Sequence, residues 1–370
     1  VRTTISRSAL ALVVASSALL LAACGSSTGG ATSASPTSSS PSAVPSSFAP
    51  TTVRLLTHDS FALTEDLLAA FEKRSGITVE VVTGGDAGEV VNKAALTAGN
   101  PEGDVLFGVD NTLLSRALEA NVFDPYVSPA ASAVPDALKA ATDGAVTPVD
   151  YGDVCINVDD SWFADKGIPA PTTLDQLTEP QYKDLLVVEN AATSSPGLAF
   201  LLATIATYGE DGYADYWAKL RANGVKVVNG WTEAYEGEYT AAGKGSRPLV
   251  VSYASSPPAE IVYASDPKPT RPASSVMEVS CFRQVEYAGV LAGTENPEAA
   301  RAVVDWLLSP EVQADVPLSM FVFPAVDGTP LPDVFDQWAA KPIAPLTLDP
   351  AAIDANRADW VDTWDQVTLR

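Results

Sequence analysis

Histidine occurs once in this chain of 370 residues, at His58. Zinc sites draw on several nitrogen or sulfur ligands, and one histidine with three cysteines leaves little to build one from. Any Ser–His–Asp machinery would have to rest on His58, and no Gly-x-Ser-x-Gly elbow is present after residue 50. Walker and Gly-x-Gly-x-x-Gly motifs are missing too, so no nucleotide cofactor, and no cofactor of any kind, is expected. Basic residues are scarce: 22 Lys and Arg stand against 46 Asp and Glu, a formal charge of −24. Phosphate backbones and anionic lipid faces repel such a body, which excludes nucleic acid as a partner. Beyond the first two dozen residues, no apolar run is long enough to span a bilayer.

The exception at the N-terminus is informative. Arg2 and Arg7 precede an apolar stretch from Ala9 to Ala23, which ends in Leu21-Ala22-Ala23-Cys24. Residues 1–23 read as a signal peptide, and the small residues before the cysteine look like a lipobox. Cleavage there would make Cys24 the lipidated N-terminus, holding the protein as a lipoprotein on the outer face of the cytoplasmic membrane or in the periplasm. An ordinary signal peptide with an incidental cysteine is the plainer alternative. Residues 25–50 are Ser, Thr, Gly, Ala and Pro with almost nothing else. They bury too little to offset chain entropy and are expected to form a disordered tether over 24–50.

The 320 or so residues that follow exceed what one core usually organises, so two lobes are expected. Strand-like Val53–Thr57, Ile77–Val82 and Asp104–Val109 alternate with helical segments closed by Gly76 and Gly99, which implies parallel strands joined by crossovers. The alternation resumes with strands at 185–188, 225–228, 248–253 and from Gln284 onward, and with helices at 197–208, 211–222, 297–308 and 350–367. Chain crossings near 150 and 283 divide the body into 51–150, 151–283 and a return over 284–370. Cys155 and Cys281, in an oxidising compartment, are expected to form a disulfide.

Ligands of such sheets collect at the carboxyl ends of strands. The residues falling there are His58, Asp59, Ser60, Asp86 and Asp110 in the first half, and Ser194, Ser195, Trp231, Tyr235 and Tyr253 in the second. Consecutive His58-Asp59-Ser60 in an extended segment would face alternately and cannot form a catalytic triad. Trp231 and Tyr235, four apart, share a helix face. They either pack under their lobe or wall a cleft, where aromatic faces beside carboxylates form a cage for a delocalised cation. Unpaired amides at the helix start after Ser194-Ser195-Pro196-Gly197 suit a hydroxyl or an anion.

These stretches, taken together, resemble the thiamine-binding substrate-binding proteins of bacterial ABC importers. The matching runs include Thr57-His-Asp-Ser-Phe61, Gly108-Val-Asp-Asn111, Asp150-Tyr-Gly152, Thr193-Ser-Ser-Pro-Gly-Leu198, Gly230-Trp-Thr-Glu-Ala-Tyr235 and Val251-Ser-Tyr253. The similarity extends in order over roughly residues 53–367. It implies an α/β, two-lobed periplasmic-binding-protein-like (type II) fold with a hinge between lobes, and a monomeric, non-catalytic receptor. Its partners would be thiamine or a thiamine phosphate and an ABC permease. By position, Tyr253 and Phe321 would line the aromatic part of the site; Trp231, Ser194 and Asp86 would sit near the hydroxyethyl or phosphate end, and Tyr151 would also bind the ligand. His58 stands where the family usually has a tyrosine, and Phe321 where it can have a tryptophan. A protonated His58 beside the thiazolium would weaken binding at low pH; His58 as a hydrogen-bonded wall residue is the plainer reading. A polyamine or ferric-ion receptor, an exported thiamine-processing enzyme and a surface adhesin are the alternatives.

Overall fold

The computed structural model describes residues 48–370; the signal peptide, Cys24 and most of the tether lie outside them. The ordered body starts earlier than expected. Phe48 packs on the core and its amide donates to the Ser75 carbonyl at 2.6 Å, so residues 48–50 belong to the body and not to the tether.

In chain order the first elements are β1 (Thr51–Thr57), α1 (Glu65–Ser75), β2 (Ile77–Thr83), α2 (Ala87–Leu96), β3 (Val105–Asp110), α3 (Leu114–Glu119) and β4 (Phe123–Asp124). The middle comprises β5 (Thr147–Asp159), α4 (Asp160–Lys166), β6 (Leu186–Glu189), α5 (Ser195–Tyr208), α6 (Tyr213–Ala222), β7 (Lys226–Val228), β8 (Leu249–Tyr253) and α7 (Ala259–Val262). The chain closes with β9 (Ser274–Leu291), α8 (Pro297–Leu307), α9 (Pro310–Ser319), β10 (Phe323–Pro324), α10 (Asp333–Trp338) and α11 (Pro350–Thr368). Gly76 ends α1 in the left-handed region, φ 79°, its amide returning to Glu72, as the sequence predicts.

The sheet runs β2-β1-β3-β9-β5-β8-β6-β7. The expected parallel pairs are present, β1 with β2 and β3, and β6 with β7 and β8. The sheet as a whole is mixed, because β9 and β5 run antiparallel to their neighbours. These two strands correct the sequence reading. β5 was not expected as a strand, and β9 begins at Ser274 rather than at Gln284. Each is shared by both halves of the sheet: β9 pairs with β3 near its C-terminal end, and β5 pairs with β8 near its own. The expected crossing points fall inside them, where Gly152 lies opposite Gln284 and Asp153 opposite Arg283.

Two covalent and ionic ties join the long strands. Cys155 and Cys281 form the disulfide beside an irregularity in register between Val154 and Ile156, both sulfurs fully buried. One step along, the Arg283 guanidinium holds the buried Asp153 carboxylate in a two-point ion pair at 2.5 and 3.2 Å. α5 contributes an almost wholly buried face, Leu198 through Ile205; Trp217 of α6 packs edge to face on its Phe200, and Trp364 of α11 packs edge to face on Trp217. No helix among the described residues is long and apolar enough to cross a membrane.

Candidate functional site

A cavity of about 780 Å³ opens between the two halves of the sheet at the ends of β1 and β8, beside Glu286 within β9. That volume lies within the range of small-molecule sites. Its wall includes His58, Asp59 and Ser60 after β1, Trp231 and Tyr235 after β7, Tyr253 at the end of β8, Glu286 on β9 and Phe321 after α9. A narrower recess continues inward between Asp86, Ser195, Trp231 and Glu286.

The aromatic part has defined geometry. Trp231 opens a helical segment that continues as a π-helical turn, Glu233–Glu238, with the Tyr239 amide reaching back five residues to the Ala234 carbonyl. Such turns are rare and recur at functional sites. Here the turn places the Trp231 and Tyr235 rings in a stack, centroids 5.0 Å apart and 12° from parallel. The indole Nε1 donates to Ser252 Oγ at 2.9 Å, which fixes the ring in the wall. Phe321 sits at φ 55°. A bulky side chain rarely adopts that conformation, and residues held so cluster at functional sites.

His58 and Ser60 lie in a turn, not an extended segment, and their side chains meet: Nδ1 is 2.9 Å from Ser60 Oγ. The other ring nitrogen is 3.3 Å from Glu286 Oε1. Ser60, His58 and Glu286 thus form a chain with the outline of a nucleophile, base and acid. Its electrostatics oppose that role. Burial pushes the imidazole down, but Glu286, with help from Asp86 and Asp59, pushes it up by more, so its pKa is raised. Below that raised pKa the ring is protonated, donates from both nitrogens and cannot take the Ser60 proton. Glu286 is held below its ordinary value: burial raises it, and the His58 charge more than reverses this. Its cross-strand partner Asp150 is raised, by burial first and then by Glu286, so Asp150 keeps the proton that two adjacent carboxylates share. Because His58 is the single histidine, its ring protons report alone in an NMR titration of untagged protein. The expected midpoint lies above 6.5; a midpoint below that would place His58 outside an ion pair.

Gly108 of β3 explains how the ring fits. Its φ is +91°, and a Cβ there would collide with the His58 ring. Gly108→Ala is expected to destabilise the fold by about 1–3 kcal/mol and to shift the His58 signals. A variant with wild-type melting and unchanged imidazole signals would show that this approach is not tight in solution.

Asp86 joins the two halves. As N-cap of α2 its Oδ1 accepts from the Ala87 amide at 2.6 Å and from Ser195 at 3.3 Å, while Oδ2 accepts from Trp231 at 2.9 Å. Burial raises its pKa against the pull of these amides. This corrects the expectation of free amides at the start of α5. Ser195 N serves Asp86, Gly197 N serves Ser194 Oγ, and Pro196 has none.

Of the residues expected from sequence, His58, Asp59, Ser60, Asp86, Ser195, Trp231, Tyr235, Tyr253 and Phe321 are brought together around this space. Asp110, Tyr151 and Ser194 are not in its wall. Asp110 is buried beneath it, accepting from the Thr112 and Leu113 amides and the Thr112 hydroxyl. Tyr151 stacks on Phe323, and Ser194 caps α5.

Residues 100–343 match the profile of the bacterial extracellular solute-binding proteins. The chain belongs to that family. Among relatives, the thiamine-binding periplasmic protein of Salmonella typhimurium is 30% identical over 85% of this chain and 92% of its own length. That of Brucella suis is 29% identical over 86% and 92%. A solved periplasmic thiamin binding protein superposes with TM-score 0.75 at 29% identity, covering 86% of this chain and 96% of that one. The periplasmic binding protein AfuA of Actinobacillus pleuropneumoniae reaches 0.72 at 16% identity, over 86% and 99%, which speaks to fold alone. The fold is that of the type II periplasmic binding proteins, and the resemblance read from the motifs stands.

Sequence reasoning missed several residues of the cavity wall. Glu286, Ser256, Glu260 and Tyr263 all contribute to the wall. Ser256 meets the hydroxyl of Ser252, four residues earlier, at 2.9 Å, a contact that only the structure shows. Glu286 had no signal in a single chain, because its partners His58 and Asp150 arrive through the sheet.

Proposed function

We propose that the protein is an exported receptor, lipid-anchored through Cys24, that binds thiamine in this cavity and passes it to an ABC permease without chemical change. One observation carries the reading: stacked aromatic rings share the cavity wall with several carboxylates. Among the described residues lining the cavity His58 is the one basic side chain, and it is already paired with Glu286. Flat rings beside acceptors suit a cationic heterocycle such as the thiazolium, and the named function of the relatives points the same way. Residues 51–150 with 284–370 would form one lobe and 151–283 the other, hinged at the paired positions on β5 and β9. Asp86, reaching from α2 to the amides of Ser195 and Trp231, would tie the lobes when closed. With the α5 amides spent, a phosphate finds no free donor there; a hydroxyethyl group needs only an acceptor and meets Asp86.

The test is calorimetry of purified, ligand-stripped protein with thiamine, its mono- and diphosphate, and spermidine. One-to-one binding of thiamine, tighter than that of either ester and with spermidine silent, is expected. Silence toward all thiamine forms would overturn the reading. A pH dependence follows from His58. Below its raised pKa the imidazolium neutralises Glu286 and repels a cation; above it Glu286 is left unpaired and attracts one. Affinity should therefore tighten as pH rises through the raised His58 pKa in wild type and lose that dependence in His58→Gln. A flat wild-type profile would contradict it.

A further inference from the structure

The outer arm of the cavity, away from Asp86 and Glu286, holds an acceptor that the fold has set in place and left half used. Glu260 of α7 is partly buried, and its Oε2 accepts from the amides of Ala273 at 2.6 Å and Ser274 at 3.2 Å, where the chain enters β9. Those two bonds anchor the carboxyl group. Its Oε1 has no hydrogen-bond partner among the described residues, although the residue is part of the cavity wall. A buried acceptor without a partner is costly, and such an oxygen is a place for a ligand donor. The other acidic groups are less suited. Asp86 is engaged by three amides and Glu286 by His58, while Glu236 and Asp59 are exposed to water. Beside Glu260, the Tyr263 ring stands edge-on to Phe321, centroids 5.5 Å apart, and both rings line the cavity. This end therefore offers aromatic surface with one anchored, unpartnered acceptor beside it.

We propose that Glu260 is a specificity-determining residue that accepts a hydrogen bond from the exocyclic amine of the ligand's aminopyrimidine ring. The inference rests on the cavity being a thiamine site. The ligand then lies with its cationic thiazolium toward the inner carboxylates and its aminopyrimidine in the outer arm. The chemistry discriminates: a 4-oxo analogue presents a carbonyl where thiamine presents N–H, and sets two acceptors against each other.

Thiamine and oxythiamine, its 4-oxo analogue, are titrated calorimetrically into wild type, Glu260→Gln and Glu260→Ala. Wild type should prefer thiamine by about 10–100-fold, the worth of one hydrogen bond to a charged group. In Glu260→Gln the amide oxygen takes over the two backbone donors and the NH₂ replaces Oε1, so the preference should fall to parity or reverse. In Glu260→Ala it should approach one. Both ligands are compared within each variant, so a general loss of folding lowers both affinities and leaves the ratio readable. Wild-type binding of thiamine with the same thiamine-to-oxythiamine ratio in all three proteins overturns the role of Glu260 and leaves the thiamine reading standing. Absence of thiamine binding to wild type overturns both.

Discussion

Trp231→Ala is expected to weaken thiamine binding roughly 30-fold, about 2 kcal/mol, from the lost stacking and cation–π contact. The substitution isolates the side chain. The Trp231 amide, which donates to Asp86, remains in the variant, so the tie between α2 and the start of the π-helical turn is kept. Ser252 loses the indole donor but retains its contact with Ser256. Tyr235 loses its stacked partner, while its other neighbours Val187, Val228, Tyr239 and Val250 stay in their small cluster. The ring itself is only partly buried, so the cost to folding should be well below the about 3–5 kcal/mol of a fully buried tryptophan. Calorimetry for affinity and thermal melting for stability separate the two effects. Near-wild-type affinity would remove Trp231 from the site, and a large fall in melting temperature would make it a packing residue first.

The half of the site that was legible in the sequence is the half that lies next to regular alternation. His58, Asp86, Trp231 and Tyr253 each follow a strand whose apolar run is plain, so their placement at a strand's carboxyl end could be argued from spacing. β5 and the first part of β9, before Gln284, hid because polar residues there serve each other: Asp153 pairs with Arg283 across the strands. In one strand alone those residues break the hydrophobic pattern; in the sheet they satisfy it. Asp110 misled for a related reason. A carboxylate at a strand end reads as a ligand contact, but here its Oδ1 caps the turn into α3 from below the cavity floor. Glu260 and Tyr263 lay in an irregular, proline-rich stretch with no period to read. The lobe boundaries near 150 and 283 remain a proposal, to which the shared long strands lend support.

Buried carboxyl groups below the site lead to the second large effect: the protein should be most stable at mildly acidic pH and lose stability as pH rises toward 8. Asp110 is pushed up to about 7, by burial first; its hydrogen bonds from Thr112 and the Leu113 amide pull it down, and Glu286 adds to the rise. Asp150 and Glu189 are raised as well, both chiefly by burial. Between the unfolded value near 4 and the folded value, the native state holds a proton that the unfolded chain has released. Stability therefore falls as pH rises through that window. For Asp110 alone the difference is on the order of 4 kcal/mol, some 8 °C of melting temperature for a body of this size. His58, also raised, adds loss of the same sign above 6.5. Glu286, lowered, acts in the opposite sense, and only as pH falls below about 4.5. Asp110→Asn tests the assignment. The amide oxygen can still accept at the turn into α3, and nothing remains there to ionise. The variant should melt like wild type near pH 5 and several degrees higher at pH 8, with a shallower slope between. A wild-type melting temperature that stays level or climbs from pH 5 to 8 would contradict the buried-proton account, and an Asn variant with the full wild-type slope would clear Asp110 of its part in it.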